Sequence, residues 1–87
     1  MGFLEMNYKI VIERKAEKFI LRQPKEQQLR ILSAINNLPS TGDIKKLKGH
    51  LDVYRLRVGT YRIIYSIDNG NLIVCVIDVG NRGDVYK

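Results

Sequence analysis

Tyr54-Arg55-Leu56-Arg57-Val58-Gly59-Thr60-Tyr61-Arg62-Ile63-Ile64-Tyr65 reads as two strands closing on a two-residue turn. A loop that short fixes the pairing register. Val58 then faces Tyr61, Arg57 faces Arg62, and Leu56 faces Ile63. Side chains alternate along a strand, so Tyr54, Leu56, Val58, Tyr61, Ile63 and Tyr65 share one side. That side takes the core, and Arg55, Arg57 and Arg62 take the other. Like charges directly opposite each other destabilise a sheet by some tenths of a kcal/mol to about 1. A strand needs no such arginines to fold, and a guanidinium matches a phosphate bidentately. The pattern therefore asks for a polyanion, with an ordinary solvated face as the alternative. Few acids lie nearby: between Lys45 and Arg62 there is only Asp52.

Working outward, Asn69-Gly70 is a hairpin signal that joins Tyr61–Ile67 to a third strand, Leu72–Val79. This last run is apolar on both faces, as a central strand would be. Asp84-Val85-Tyr86 adds a short final strand. Upstream, Tyr8-Lys9-Ile10-Val11-Ile12 is a β-branched first strand. Glu13–Arg22 carries Ala16, Phe19 and Ile20 at helical spacing. Pro24 breaks this helix and occupies the first turn of the next. Lys25–Leu38 then presents Ile31, Leu32, Ile35 and Leu38 on one face, and Asn36, Asn37 and Pro39 end it. Ser40–Gly49 is read as a polar connection rich in lysine. The fold class is α+β, in the order β-α-α-β-β-β(-β), an antiparallel-rich sheet with a two-helix hairpin on one face.

The chain has 87 residues, enough for one small domain, and a formal net charge of +6. Met6 is a natural domain start, which leaves residues 1–5 as an N-terminal extension and residues 6–87 as a single domain. Excess positive charge favours a polyanionic partner. Cys75 is the one cysteine and His50 the one histidine. That excludes an intrachain disulfide and a typical zinc site, and Cys75 is expected to be a buried structural thiol. No apolar run approaches the ~18 residues of a membrane span. No signal-peptide core is evident, so a cytoplasmic location is expected. Asp78 and Asp84 are read as turn or strand-end groups around Gly80, not as metal-binding carboxylates. No Walker-type glycine loop is present.

Leu47-Lys48-Gly49-His50, Tyr54-Arg55-Leu56-Arg57, Tyr61-Arg62-Ile63-Ile64-Tyr65 and Gly80-Asn81-Arg82-Gly83-Asp84-Val85-Tyr86 follow one another in this order. Together they resemble the RelE family of toxins from type II toxin–antitoxin pairs, over most of the chain from Tyr8 to Tyr86. The resemblance implies a ribosome-dependent mRNA endoribonuclease that cuts in the ribosomal A site. The 2′-hydroxyl attacks the adjacent phosphorus, giving a 2′,3′-cyclic phosphate and a 5′-hydroxyl, with no metal or other cofactor. It implies a RelB-like antitoxin partner whose acidic segment folds on binding, a 70S-type ribosome with mRNA, and no membrane. Position by position, the family's arginines fall on Arg62 and Arg82 and its tyrosine on Tyr86. Two family lysines fall on Arg55 and Arg57, which keep the charge and lose the lysine's capacity to move protons.

That chemistry needs a base for the 2′-hydroxyl, positive charge at the phosphorane, and protonation of the leaving 5′ oxygen. Arg57 and Arg62 are the candidate phosphate clamp, with Arg55 beside them. Arg82 is the candidate charge near the leaving group. Tyr86 serves as base only as phenolate, which neighbouring arginines would favour over its ordinary pKa of about 10. Lys45, Lys46, Lys48 and His50 are candidate RNA contacts, sequence-independent and salt-sensitive. Two alternatives stand beside this reading. One is a ParE-like toxin, which has the same fold and inhibits DNA gyrase. The other is a non-catalytic RNA- or protein-binding module.

Overall fold

The computed structural model describes residues 8–38, 43–46 and 52–81. The element order is β1 (Lys9–Ile12), α1 (Arg14–Leu21), α2 (Lys25–Asn36), β2 (Asp43–Lys46), β3 (Val53–Val58), β4 (Tyr61–Asp68) and β5 (Ile73–Asn81). The strands form one sheet in the order β1-β5-β4-β3-β2. β1 pairs parallel to β5, and every other pair is antiparallel. The α+β class and the antiparallel-rich sheet expected from the sequence are what the chain adopts.

Both helices bury the faces that their spacing marks. Ala16 and Ile20 of α1 and Ile31 and Ile35 of α2 are buried, with Phe19 and Leu32 packed against them. They meet Leu56, Val58, Tyr61, Ile63 and Tyr65 from β3 and β4, and Val74, Val76 and Val79 from β5. α2 begins at Lys25, and Pro24 stands at its N-cap with extended backbone (φ −56°, ψ 151°), one residue earlier than expected. Arg22, Gln23 and Pro24 make the joint between the helices. Gln28 Nε2 donates to the Gln23 carbonyl at 2.8 Å and Gln23 Nε2 to the Phe19 carbonyl at 3.1 Å, which ties the joint down.

Four expectations need correction. Ser40–Gly49 is not only a connection: Asp43–Lys46 pairs with β3 as an edge strand. Two consecutive lysines hid it, yet charged residues are how edge strands resist further pairing. The β4–β5 connection is not a two-residue Asn69-Gly70 turn. Asp68 pairs with Ile73, which leaves four residues between them. The Asp68 carboxylate accepts hydrogen bonds from the Asn71 amide (3.1 Å) and side chain (2.9 Å), and the positive φ falls on Leu72 at 55°. The local Asp–Asn bonds outcompete the tighter turn. Gly80 makes no turn between Asp78 and Asp84: Asp78 and Gly80 both lie inside β5, where Ile77 makes a bulge between the pairs Ile64–Asp78 and Tyr65–Val76, and Asp84 lies outside the described residues. Asp78 instead pairs with Lys15 at 3.7 Å. Cys75 is half-buried rather than buried, with its thiol 3.5 Å from Glu13 Oε2; burial and that carboxylate both push its pKa up. The short strand expected at Asp84–Tyr86 lies outside the described residues.

Candidate nucleic-acid interface on the open sheet face

The β3–β4 pairing places Val58 opposite Tyr61, Arg57 opposite Arg62 and Leu56 opposite Ile63, as the two-residue turn requires. Gly59 takes φ +59° at the first central position, the conformation of a II′ hairpin turn. Leu56 and Ile63 face the helices; Arg55, Arg57 and Arg62 therefore face away from them. Arg55 has Ile64 opposite it on the same face, and Ile64 in turn neighbours Asp78 on β5. On the far side of β3, Asp43 and Lys45 stand in register with Arg57 and Arg55, and Lys46 stands opposite Tyr54.

The three arginines are not equivalent. Arg57 is exposed, whereas Arg55 and Arg62 keep only 5% and 8% of their surface accessible. Each of the three engages neighbouring groups. Guanidinium groups held in this way lose less freedom on meeting an anion than chains that wave in solvent. The arrangement offers two cations set into the sheet and one exposed cation beside them. Planar forks suit phosphate oxygens, so such a surface can hold an RNA backbone and stabilise charge that grows on it. Of the other sequence candidates, Lys45 and Lys46 share the edge strand β2. Lys48, His50, Arg82 and Tyr86 lie outside the described residues. No group of three or more potential metal ligands occurs among the described residues.

One cation at the β3–β4 turn was not singled out from the sequence. Arg30 of α2 lies against the β3–β4 turn, its guanidinium 3.1–3.2 Å from where a Cβ on Gly59 would stand. The signal that could have found it is the glycine in that turn, which marks a close approach.

Residues 10–86 match the family described as ParE toxin of type II toxin-antitoxin system, parDE. The chain belongs to this toxin family. It is also similar to the protein named "Putative toxin RelE1" of Methanocaldococcus jannaschii, with 38% identity over 45 residues. That match covers 52% of this chain and 50% of the relative, so the chain spans about half the length of the curated relative it matches. The fold is similar to the archaeal RelE–RelB complex from Pyrococcus horikoshii OT3, with a TM-score of 0.75, 29% identity, and 91% of this chain and 99% of that one covered. It is similar to the isolated E. coli RelE toxin, with a TM-score of 0.66, 27% identity and coverage of 91% and 90%. The RelB–RelE complex from Methanococcus jannaschii gives 0.64, 28%, 87% and 94%. The RelE and ParE names thus meet on one superfamily fold, and this RelE/ParE-type toxin chain carries its arginines on the sheet face that its helices leave open. Among the described residues, no helix of this chain is long and apolar enough to cross a membrane.

Proposed function

We propose that this chain is the toxin of a toxin–antitoxin pair and acts as a ribosome-dependent endoribonuclease on mRNA in the A site. The observation that carries the reading is the register of Arg57 opposite Arg62, with Arg55 alongside, on the face turned away from the helices. Like charges directly opposite each other weaken a strand pair, yet this pair keeps two arginines there. In this mechanism Arg57 and Arg62 bind the scissile phosphate and stabilise the phosphorane, with Arg55 supporting them. Arg82 neutralises the leaving 5′ oxygen. Tyr86, as phenolate favoured by adjacent guanidinium groups, takes the 2′-hydroxyl proton. The chain's acid–base set is thin, so the ribosome contributes by aligning the 2′-oxygen with the phosphorus; orientation of that kind supplies much of such a rate. Lys45, Lys46, Lys48 and His50 contact the RNA backbone. Residues 6–87 form the toxin domain behind a short extension, and the reaction is cytoplasmic and uses no metal.

The partner is a RelB-like antitoxin, a reading supported by similar folds solved as RelE–RelB complexes. Its acidic segment folds onto this basic chain and blocks the arginine face. The ParE name of the matching family supports a second reading, gyrase inhibition without RNA cleavage. Mapping mRNA 5′ ends on translating ribosomes separates the two. Wild-type chain is expected to give A-site cuts that Arg62→Ala, Arg82→Ala and Tyr86→Phe abolish or strongly reduce. Growth arrest with intact mRNA and gyrase-linked DNA breaks would overturn the nuclease reading in favour of the second.

A further inference from the structure

α2 turns Ile31 and Ile35 into the core and leaves Arg30, beside Ile31, exposed. The Arg30 guanidinium reaches the β3–β4 turn. The Cβ position of Gly59 is 3.1 Å from Cζ, 3.1 Å from Nη1 and 3.2 Å from Nη2. A point equally distant from those three atoms at that range lies above the guanidinium plane, not at its edge. The flat face of Arg30 therefore rests on the β3–β4 turn, and its N–H donors point sideways. Among the described residues Arg30 makes no ion pair with a carboxylate; the salt bridge there joins Lys15 to Asp78.

The turn beneath Arg30 is well supported. Tyr61, two residues after Gly59, donates its hydroxyl proton to Gln23 Oε1 at 3.0 Å and meets Phe19 edge-on at 6.0 Å and 78°. The helix joint and the hairpin tip thus form one unit. Arg57 precedes Gly59 by two residues and Arg62 follows it by three, so β3 and β4 bring cations to this turn from the face away from the helices, and α2 brings Arg30 from the helix side. Gly59 makes this possible in two ways. It accepts a φ of +59°, and it has no Cβ to push the guanidinium away.

We infer that Arg30 is a further phosphate contact, which carries the arginine face around the β3–β4 turn and grips the sugar–phosphate backbone of RNA there. This rests on the nuclease reading above for its substrate, and on the Arg30–Gly59 geometry for its position. A guanidinium already lying flat on the turn binds with less loss of freedom than an exposed lysine, and its free edge matches phosphate oxygens. Arg30 is a binding residue for an RNA phosphate, not a group at the reacting atoms.

The test measures binding of the full chain to 70S ribosomes across a salt series, with and without mRNA in the A site. Arg30→Ala is expected to weaken binding several-fold and to lower the slope of log affinity against log salt by about one, as loss of one phosphate contact does. Arg30→Lys is expected to keep the slope and recover part of the affinity. Gly59→Ala should weaken binding while the charge is unchanged, because the added Cβ displaces the guanidinium. Thermal melts of each variant separate these effects from unfolding. A loss seen only with mRNA present assigns the phosphate to mRNA, and a loss in both states assigns it to rRNA. Arg30→Ala binding with the wild-type affinity and slope overturns the inference, even where the wild type still cuts mRNA. Conversely, a wild type that cuts nothing, while Arg30→Ala still lowers the slope, overturns the nuclease reading and leaves Arg30 as an RNA contact.

Discussion

On its helix-covered face the β3–β4 hairpin presents Leu56, Ile63 and Tyr65, each at 1% exposure or less. On the other face, the same two strands present Arg55, Arg57 and Arg62. Accessibility alone does not separate the faces, since Arg55 and Arg62 are themselves nearly covered. What separates them is the consequence of truncation. On the covered face, removing atoms leaves a hole in the core. On the arginine face, removing them takes away charge together with the contacts each guanidinium makes. One face builds the core, and the other is the one proposed to meet RNA.

The largest expected effect comes from Leu56→Ala, on the covered face opposite Ile63. Truncating a buried leucine costs about 2–5 kcal/mol, a large share of the roughly 5–15 kcal/mol that holds a small domain together. Urea unfolding should show the midpoint collapse, and any lost cleavage should follow the folded fraction. A midpoint near wild type would break the contrast from this side.

Arg62→Ala acts through the other face. If its guanidinium meets the developing phosphorane, A-site cleavage should fall roughly 10²- to 10³-fold, the scale for one charge-stabilising donor. Binding of the ribosome should survive better than the cut. Equal losses of both would recast Arg62 as a docking residue.

Arg57→Thr sharpens the contrast further. Arg57 is exposed and stands between Arg62 on one side and Asp43 on the other. Removing the like-charge pair should raise stability by some tenths of a kcal/mol up to about 1, with the Asp43 register position limiting the gain. Cleavage should fall at the same time. A variant that lost both stability and cleavage would show that Arg57 is held for the fold.

This face is legible in the sequence because a two-residue turn leaves no freedom of register: once Gly59-Thr60 is the loop, Arg57 must oppose Arg62. Helix faces were equally legible from the spacing of Ala16 and Ile20 and of Ile31 and Ile35. The misses share a physical cause. β2 forms because β3 offers a partner, not because Asp-Ile-Lys-Lys favours a strand on its own, and tertiary context decides such short edges. Asn69-Gly70 signals a tight turn, yet the Asp68 carboxylate two residues before Gly70 captures Asn71 and lengthens the loop. Burial of Arg55 and Arg62, and the approach of Arg30 to Gly59, depend on how distant elements meet, which no local pattern encodes.

The smallest expected effect sets one tyrosine environment against another. Tyr65 is wholly buried on the apolar face, stacked on Tyr54 at 5.6 Å and 22°, and its hydroxyl finds no hydrogen-bond partner among the described residues. Burial first, and Tyr54 second, push its pKa up to about 12. Removing an unsatisfied hydroxyl is nearly neutral, so Tyr65→Phe should change stability by no more than about 1 kcal/mol at neutral pH. The sign at high pH follows from linkage. The unfolded chain releases this proton near the ordinary value of about 10, while the folded chain holds it until about 12. Wild-type stability therefore falls as pH rises through that window, and Tyr65→Phe should lose less over the same interval in paired urea titrations. Parallel curves would remove Tyr65 as the cause. Tyr86 is instead the residue proposed as the base of the cleavage step. Tyr86→Phe should then abolish cleavage with little change in stability, whereas Tyr65→Phe should leave cleavage intact; a reversal of that pair would place the reactive tyrosine on the wrong face of the sheet.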